Sequence, residues 1–411
     1  MDEMFDERDT RDPQARERGL FDTLPLHLAQ AMERVPALAE RLSGFNPATL
    51  TSREALAKLP VLRKSELMEA QAANPPFGGF VNEQALAGTR VFMSPGPVWE
   101  PQGGRADPWH AARALHAAGF RTGDMVLNAL SYHMTPGGFI MDEGLRAMGC
   151  TVFPAGIGNT DVQVEAALHL QPVAYAGTPD FLKVILDRAD ETGTPLTSFR
   201  RAMVSGGALF PAMRAEYGER GIAVMQSYAT ADLGVVAYET RADGELAQGM
   251  VVNEDFIVEI VRPGTGDPVE PGEVGEIVVT NFSRTYPLLR FGTGDMTRQM
   301  EGPSPCGRTA MRIAGWMGRA DQRTKVKGMF VDPAQIDRVV KAHDTVRAAR
   351  LTVTREGAQD AMVLQVTGEG IDPAAVAATL REVTKLGGRV EPVDVLPNDG
   401  KVISDERDYE A

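Results

Sequence analysis

An α/β fold with a large N-terminal region and a small C-terminal α+β domain is what this 411-residue sequence predicts. Three observations predict it. Short apolar runs alternate with helical stretches up to about residue 225, the texture turns to hairpins near residue 250, and further strands and helices follow residue 320. A chain this long exceeds one ordinary core, so more than one subdomain is expected.

Taken in order, residues 11–45 are expected to be helical, because Leu20, Leu24, Leu28, Met32 and Leu38 recur at near-helical spacing among charged neighbours. Leu59-Pro-Val-Leu-Arg-Lys-Ser-Glu-Leu67 reads as extended chain leading into a short helix, with Ser65 as its N-cap. The runs 125–130, 151–153, 173–176, 202–205 and 222–225 read as strands, separated by helices at 107–119, 137–148, 160–170 and 179–191. Such alternation implies a largely parallel sheet covered on both faces. The runs 256–261 and 276–280 flank Pro263-Gly-Thr-Gly and Glu270-Pro-Gly-Glu-Val-Gly275, an antiparallel hairpin pattern. A domain boundary is expected in Gly318-Arg319-Ala320-Asp321, dividing the chain into 1–318 and 319–411. Beyond it, 336–342 and 373–385 read as helices, and 350–354 and 362–366 as strands.

Apolar content of 43% with 24% charged residues fits a soluble globular enzyme. The net charge of −14 argues against broad nucleic-acid or anionic-membrane binding, while leaving room for a local basic site. Two cysteines allow at most one disulfide and no four-cysteine metal site. Cys150, in Met148-Gly-Cys-Thr-Val-Phe153, is expected to be a small buried residue, and Cys306 lies in the turn-rich Pro303-Ser-Pro-Cys-Gly-Arg308. The acidic N-terminus has no apolar signal core, and no apolar run reaches about 18 residues, so a cytoplasmic, membrane-free protein is expected.

Three separated segments are polar and marked by glycine. They are Tyr286-Pro-Leu-Leu-Arg-Phe-Gly-Thr-Gly-Asp295, Gly318-Arg-Ala-Asp-Gln-Arg-Thr-Lys-Val-Lys-Gly328 and Asn398-Asp-Gly-Lys401. Asp295 follows Thr293-Gly294, where the chain can turn and present a carboxylate to a ribose diol. Alone, each segment has a plainer reading: a turn, a solvated linker, a surface lysine. Val204-Ser-Gly-Gly-Ala208 follows a strand and precedes a helix, where small residues let a planar base approach the backbone.

In order and spacing these segments resemble the adenylate-forming superfamily, most closely the phenylacetate-CoA ligase family, from Leu59-Pro-Val-Leu-Arg-Lys-Ser through Lys401. The resemblance implies the adenylate-forming fold, with a multi-sheet N-terminal region and a mobile C-terminal lid. It implies an ATP-dependent ligase that activates an aryl or related carboxylic acid as acyl-adenylate and transfers it to coenzyme A, with Mg2+. By that match Asp295 binds the ribose, Arg319 approaches ribose and phosphate, Asp321 is the hinge, and Lys327 with Gly328 meets the CoA side. Lys401 is the candidate catalytic lysine, neutralising charge as the carboxylate attacks the α-phosphate. Ser205, Gly206 and Gly207 join Ser227, Tyr228, Ala229 and Thr230 around the nucleotide, with Tyr228 on the adenine.

Ser227-Tyr-Ala-Thr-Ala-Asp-Leu-Gly234 is similar to the family's Tyr-Gly-x-Thr/Ser-Glu segment, which puts Asp232 in place of a magnesium-binding glutamate. Ala231 stands where a phosphate-binding hydroxyl is usual, and Thr230 comes one residue early. Tyr132, His133 and Gly138, in Ser131-Tyr-His-Met-Thr-Pro-Gly-Gly138, are the candidate acyl pocket. The expected partners are a small carboxylic acid, ATP and CoA, without nucleic acid or membrane, and a homodimer is compatible with this.

One loop departs from the pattern. The family's phosphate cradle is close to Ser-Ser-Gly-Thr-Thr-Gly-Lys-Pro, and here the chain reads Ser94-Pro-Gly-Pro-Val-Trp-Glu-Pro101. The prolines lack N–H donors, Trp99 replaces a glycine, and Glu100 replaces the lysine. That charge reversal is expected to disfavour ATP by up to about a few kcal/mol. Gln102-Gly-Gly-Arg105 offers substitute donors. Two alternatives therefore stay open: a regulatory or carrier protein that binds acyl-CoA or AMP, and an ATP-independent acyl-CoA transferase or thioesterase.

Overall fold

The structure is a computed structural model that describes residues 3–104, 106–263, 265–320, 322, 324–356, 359–397 and 402–407. It divides into two compact units. The first runs to Thr293 and includes Thr297–Trp316; the second takes Gly294–Met296 and the chain from Met317 onward.

The first unit begins with helices α1 (Pro13–Arg34), α2 (Pro36–Arg41) and α3 (Arg53–Ala57). Asp12 caps α1 by accepting from the Ala15 N–H at 2.8 Å, and Pro13 follows where no N–H is needed. Phe21, Leu24, Leu28 and Ala31 of α1 bury one stripe of the helix in a cluster with Ile257 and Leu289. Then come β1 (Leu62–Arg63) and α4 (Lys64–Ala73). Ser65 lies inside α4 and is not its N-cap. Arg63 takes that position because its N–H is satisfied by Glu66 Oε1 at 2.8 Å, the reciprocal half of a capping box. Next, β2 (Val91–Ser94) and β3 (Val98–Pro101) pair as an antiparallel hairpin with Ser94 opposite Val98.

The central layer alternates as the sequence predicts: α5 (Ala111–Ala117), β4 (Met125–Asn128), α6 (Gly137–Ala147), β5 (Thr151–Phe153), α7 (Thr160–Leu170), β6 (Ala174–Gly177), α8 (Pro179–Glu191), β7 (Arg201–Val204), α9 (Pro211–Glu219) and β8 (Ala223–Thr230). The strands run parallel in the order β5-β4-β6-β7-β8. Successive strand residues serve opposite faces. Val126, Ala174, Ala176, Met203 and Met225 pack with Leu115 of α5 and Leu145 of α6. Leu127, Tyr175, Ala202 and Val204 pack with Leu182 of α8 and Tyr217 of α9. Helix α5 is shorter than the expected 107–119, because the Asp107 carboxylate accepts from the N–H groups of Ala111 and Ala112 and fixes the helix start there. Cys150 is buried, and burial, then the Asp124 charge, push its thiol up to about 11.

The sheet continues through β9 (Gly234–Ala242), β10 (Glu245–Val252), β11 (Phe256–Val261), β12 (Val274–Asn281), β13 (Phe291–Met300) and β14 (Arg312–Ile313). Its order beyond β8 is β9-β10-β14-β13-β12-β11, and β1 lies beside β13. The 256–261 and 276–280 runs pair antiparallel, as expected. The second unit holds β15 (Thr324–Val326), β16 (Met329–Val331), α10 (Pro333–Lys341), β17 (Val346–Glu356), β18 (Gln359–Gly368), α11 (Pro373–Thr384), β19 (Arg389–Pro392) and β20 (Ile403–Asp405). Its sheet, β19-β18-β17-β20, shares a core with both helices through Ile336, Val339, Leu351, Leu364, Val376 and Leu380. Among the described residues, no helix is long and apolar enough to cross a membrane.

Candidate nucleotide site

In an open parallel sheet the natural crevice lies at the carboxyl ends of the strands. There β7 ends at Val204, opposite Gln226 of β8, which brings Ser205, Gly206 and Gly207 against Ser227 and Tyr228. Buried Ser205 Oγ donates to the Ser227 carbonyl at 3.0 Å, and Gln226 Nε2 donates to the Gly207 carbonyl at 3.0 Å. Gly206 has φ +73°, a conformation that favours glycine. Tyr228 is buried, while Ala229 and Thr230 are half-buried. The Thr230 hydroxyl accepts from the Leu233 N–H at 3.2 Å and so closes the β8–β9 turn. That turn presents Asp232.

Around Asp232 a buried polar cluster forms that single segments of sequence do not disclose. Lys64 Nζ lies 3.1 Å from Asp232 Oδ2, 3.4 Å from Ser94 Oγ and 3.9 Å from Glu100 Oε1. Ser94 Oγ donates to Glu100 Oε1 at 2.6 Å across the β2–β3 hairpin. Glu100, the residue that stands for the family's lysine, thus points inward. Burial first, then the Asp232 charge, push its carboxyl well above the usual range, against the pull of Lys64 and Ser94. Tyr286 is buried too, and burial with the Asp232 and Glu100 charges raises its phenol. Asp232 Oδ1 is buried without a hydrogen-bond partner. An oxygen of this kind suits a hard divalent cation, so the residues present fit the Mg2+ that the family resemblance implies.

Sequence reasoning gave Lys64 no role, although a signal existed. It is the first residue of α4, where the helix dipole disfavours a cation, so its place needs an anionic partner. Asp232 and Tyr286 also line a cavity of about 540 Å³, together with Trp109, His110, Phe256 and Arg284. His110 Nδ1 lies 3.2 Å from Asp255 Oδ2, and its ring meets Phe256 edge-on at 5.0 Å.

The expected acyl-pocket residues lie elsewhere on the same strand edge, after β4, and do not line this cavity. The Tyr132 hydroxyl donates to Asp142 Oδ2 at 2.9 Å and accepts from Asn128 Nδ2 at 2.7 Å. Burial and the Asp142 charge raise its pKa. Gly138 is buried; a Cβ there would come within 2.8 Å of the Ser131 carbonyl and the Tyr132 ring. His133 is exposed.

In the second unit, Asp295 and Arg319 are joined. Arg319 Nη1 lies 2.9 Å from Asp295 Oδ1, the two residues form a β-bridge, and Gly294, at φ +72°, leaves room for the guanidinium. Lys327 sits at φ +48° in the β15–β16 turn, its N–H donating to Asp360 Oδ2 at 2.9 Å. Asp321, Lys401 and Arg105 lie outside the described residues.

Comparison with known proteins shows what this chain is similar to. The sequence model of the AMP-binding enzymes matches residues 109–283, which hold β4 to β8, the glycine turn and Asp232. This stretch is similar to the AMP-binding enzymes. Over and beyond that stretch the chain is similar to phenylacetate-coenzyme A ligases. The protein of Thermus thermophilus is 29% identical over 82% of this chain and 78% of its own length. That of Pseudomonas putida is 28% identical over 88% and 84%. Among solved structures, a 2-hydroxyisobutyryl-CoA ligase in complex with 2-HIB-AMP and CoA superposes with a TM-score of 0.81 at 25% identity, covering 98% of this chain and 92% of that one. The amide bond synthetase McbA of Marinactinospora thermotolerans superposes with a TM-score of 0.56 at 19% identity, covering 78% of this chain and 68% of that one.

Proposed function

We propose that this chain is an ATP-dependent acid–CoA ligase that forms an acyl-adenylate and passes the acyl group to coenzyme A. The observation that carries this reading is the likeness, along nearly the whole chain, to a CoA ligase solved with an acyl-AMP and CoA. The phenylacetate-coenzyme A ligases, similar over most of the sequence, support it.

In this reading the Ser205-Gly206-Gly207 turn and Tyr228 receive the adenine, and the Asp295 carboxylate takes the ribose diol. Arg319, paired with Asp295 at 2.9 Å, approaches the ribose and phosphate in this reading. Asp232 holds Mg2+, which supplies positive charge to the phosphates. Lys401 neutralises charge that develops as the acid's carboxylate attacks the α-phosphate. The carbonyl needs different groups for adenylation and for thiol attack, which a lid turning about Asp321 would exchange, with Lys327 on the CoA side. Tyr132, His133 and Gly138 border the acid, an aryl or related carboxylate.

The test is AMP release that requires ATP, CoA and an acid together, over a panel of aryl and short hydroxy acids. At least one acid is expected to give AMP and acyl-CoA in equal amounts. No AMP with any acid, alongside AMP binding, would favour the second reading that Glu100 and the proline-rich hairpin suggest: a protein that binds AMP or acyl-CoA without using ATP.

A further inference from the structure

The Lys-to-Glu exchange in the phosphate loop need not subtract from a phosphate site if the new carboxylate does other work. Glu100 comes from β3, Asp232 from the β8–β9 turn, Lys64 from α4, Ser94 from β2 and Tyr286 from the segment before β13. All but Lys64 are at least nine-tenths buried. Three of their oxygens, Glu100 Oε2, Asp232 Oδ1 and the Tyr286 hydroxyl, meet no N–H or hydroxyl of the protein, and the Glu100 and Asp232 carboxyls lie close enough to act on each other. Buried polar atoms are ordinarily satisfied, and three orphaned oxygens around two carboxyls ask for a cationic ligand. Lys64 Nζ lies 3.1 Å from Asp232 Oδ2 and 3.9 Å from Glu100 Oε1, the other oxygens of the two carboxyls.

We propose that Glu100 and Asp232, whose carboxyls lie side by side, together hold one divalent cation, Mg2+ or Mn2+, through the two carboxylate oxygens that no N–H or hydroxyl of the protein meets. The inference rests on the ligase reading for its purpose but not for its test. In that reading the loop no longer offers an ammonium to the polyphosphate. It offers a second carboxylate to the metal, and the metal meets the phosphates. Two carboxylates with waters and phosphate oxygens completing the shell is an ordinary way to hold Mg2+. Ser94 orients Glu100: it fixes Oε1 by its 2.6 Å hydrogen bond and leaves Oε2 for the ion.

The experiment is titration of the nucleotide-free protein with Mn2+, followed by the paramagnetic resonance of the free ion. Wild type is expected to bind one Mn2+ per chain, with Mg2+ competing. Glu100→Gln, which keeps shape and removes charge, is expected to weaken binding by about tenfold or more. Lys64→Met removes an ammonium that competes for Asp232 and should tighten binding, which keeps the proposal testable if the glutamine variant folds poorly. Unchanged Mn2+ affinity in Glu100→Gln, weaker binding in Lys64→Met, or no binding by wild type would each overturn the proposal. The ligase reading fails separately, by absent AMP release in a protein that still binds the ion.

Discussion

Replacing Arg290 with alanine is expected to cost the first unit about 3–5 kcal/mol, the largest stability loss of any single change considered. The Arg290 side chain is 1% exposed and its Nε lies 3.0 Å from Glu259 Oε2. Its Nη1 donates to the carbonyls of Ala57 and Leu59 and its Nη2 to that of Gly266, so one guanidinium ties the α3 segment, β11 and the start of β13 together. Removal leaves Glu259 charged, buried and alone. Burial already raises the Glu259 carboxyl even with Arg290 opposing it. A carboxyl raised in the folded state binds its proton more tightly there than in the unfolded chain. Its contribution is therefore fully present below the unfolded pKa and is lost as pH rises through the folded one. Urea unfolding should accordingly show a larger deficit for Arg290→Ala at about pH 7.5 than at about pH 5, and Glu259→Gln in the same chain should return part of it. A loss under about 1 kcal/mol at both pH values would contradict the account.

The largest expected effect on activity is at Lys401. Lys401→Ala should lower acid-dependent pyrophosphate exchange by about 10²-fold or more, the scale on which single groups that meet developing charge are felt. Its unfolding midpoint in urea should match wild type. Exchange within about threefold of wild type would remove the lysine from the chemistry.

Much of the fold was legible because the apolar runs keep one period for long enough. The five parallel strands and the helices between them follow from runs such as 173–176 and 202–205, whose residues serve both faces of a covered sheet. Strands β9 and β10 escaped, because Val235-Val-Ala-Tyr238 follows a motif segment and Glu245-Leu-Ala-Gln-Gly-Met250 breaks its alternation at a register shift.

Sequence order marked the turn at Ser205 and the carboxylates Asp232 and Asp295 as candidates. It could not tell a ligand-facing residue from a structural one. Arg290 lies in the same motif as Asp295 yet donates to the protein's own backbone and Glu259. Glu100 read as a charge reversal facing phosphate, but the hairpin turns it inward onto Ser94, with Lys64 supplied from a segment some thirty-six residues upstream. Contacts between distant segments decide both cases, and no local pattern encodes them.

Calorimetric titration with ATP and Mg2+, compared with AMP, tests the central claim most directly. Binding of ATP with Mg2+ at least as tight as that of AMP is the predicted result, because a ligase must hold the whole triphosphate past the altered hairpin. Binding of AMP with none of ATP would contradict it and leave a nucleotide-binding protein that does not spend ATP.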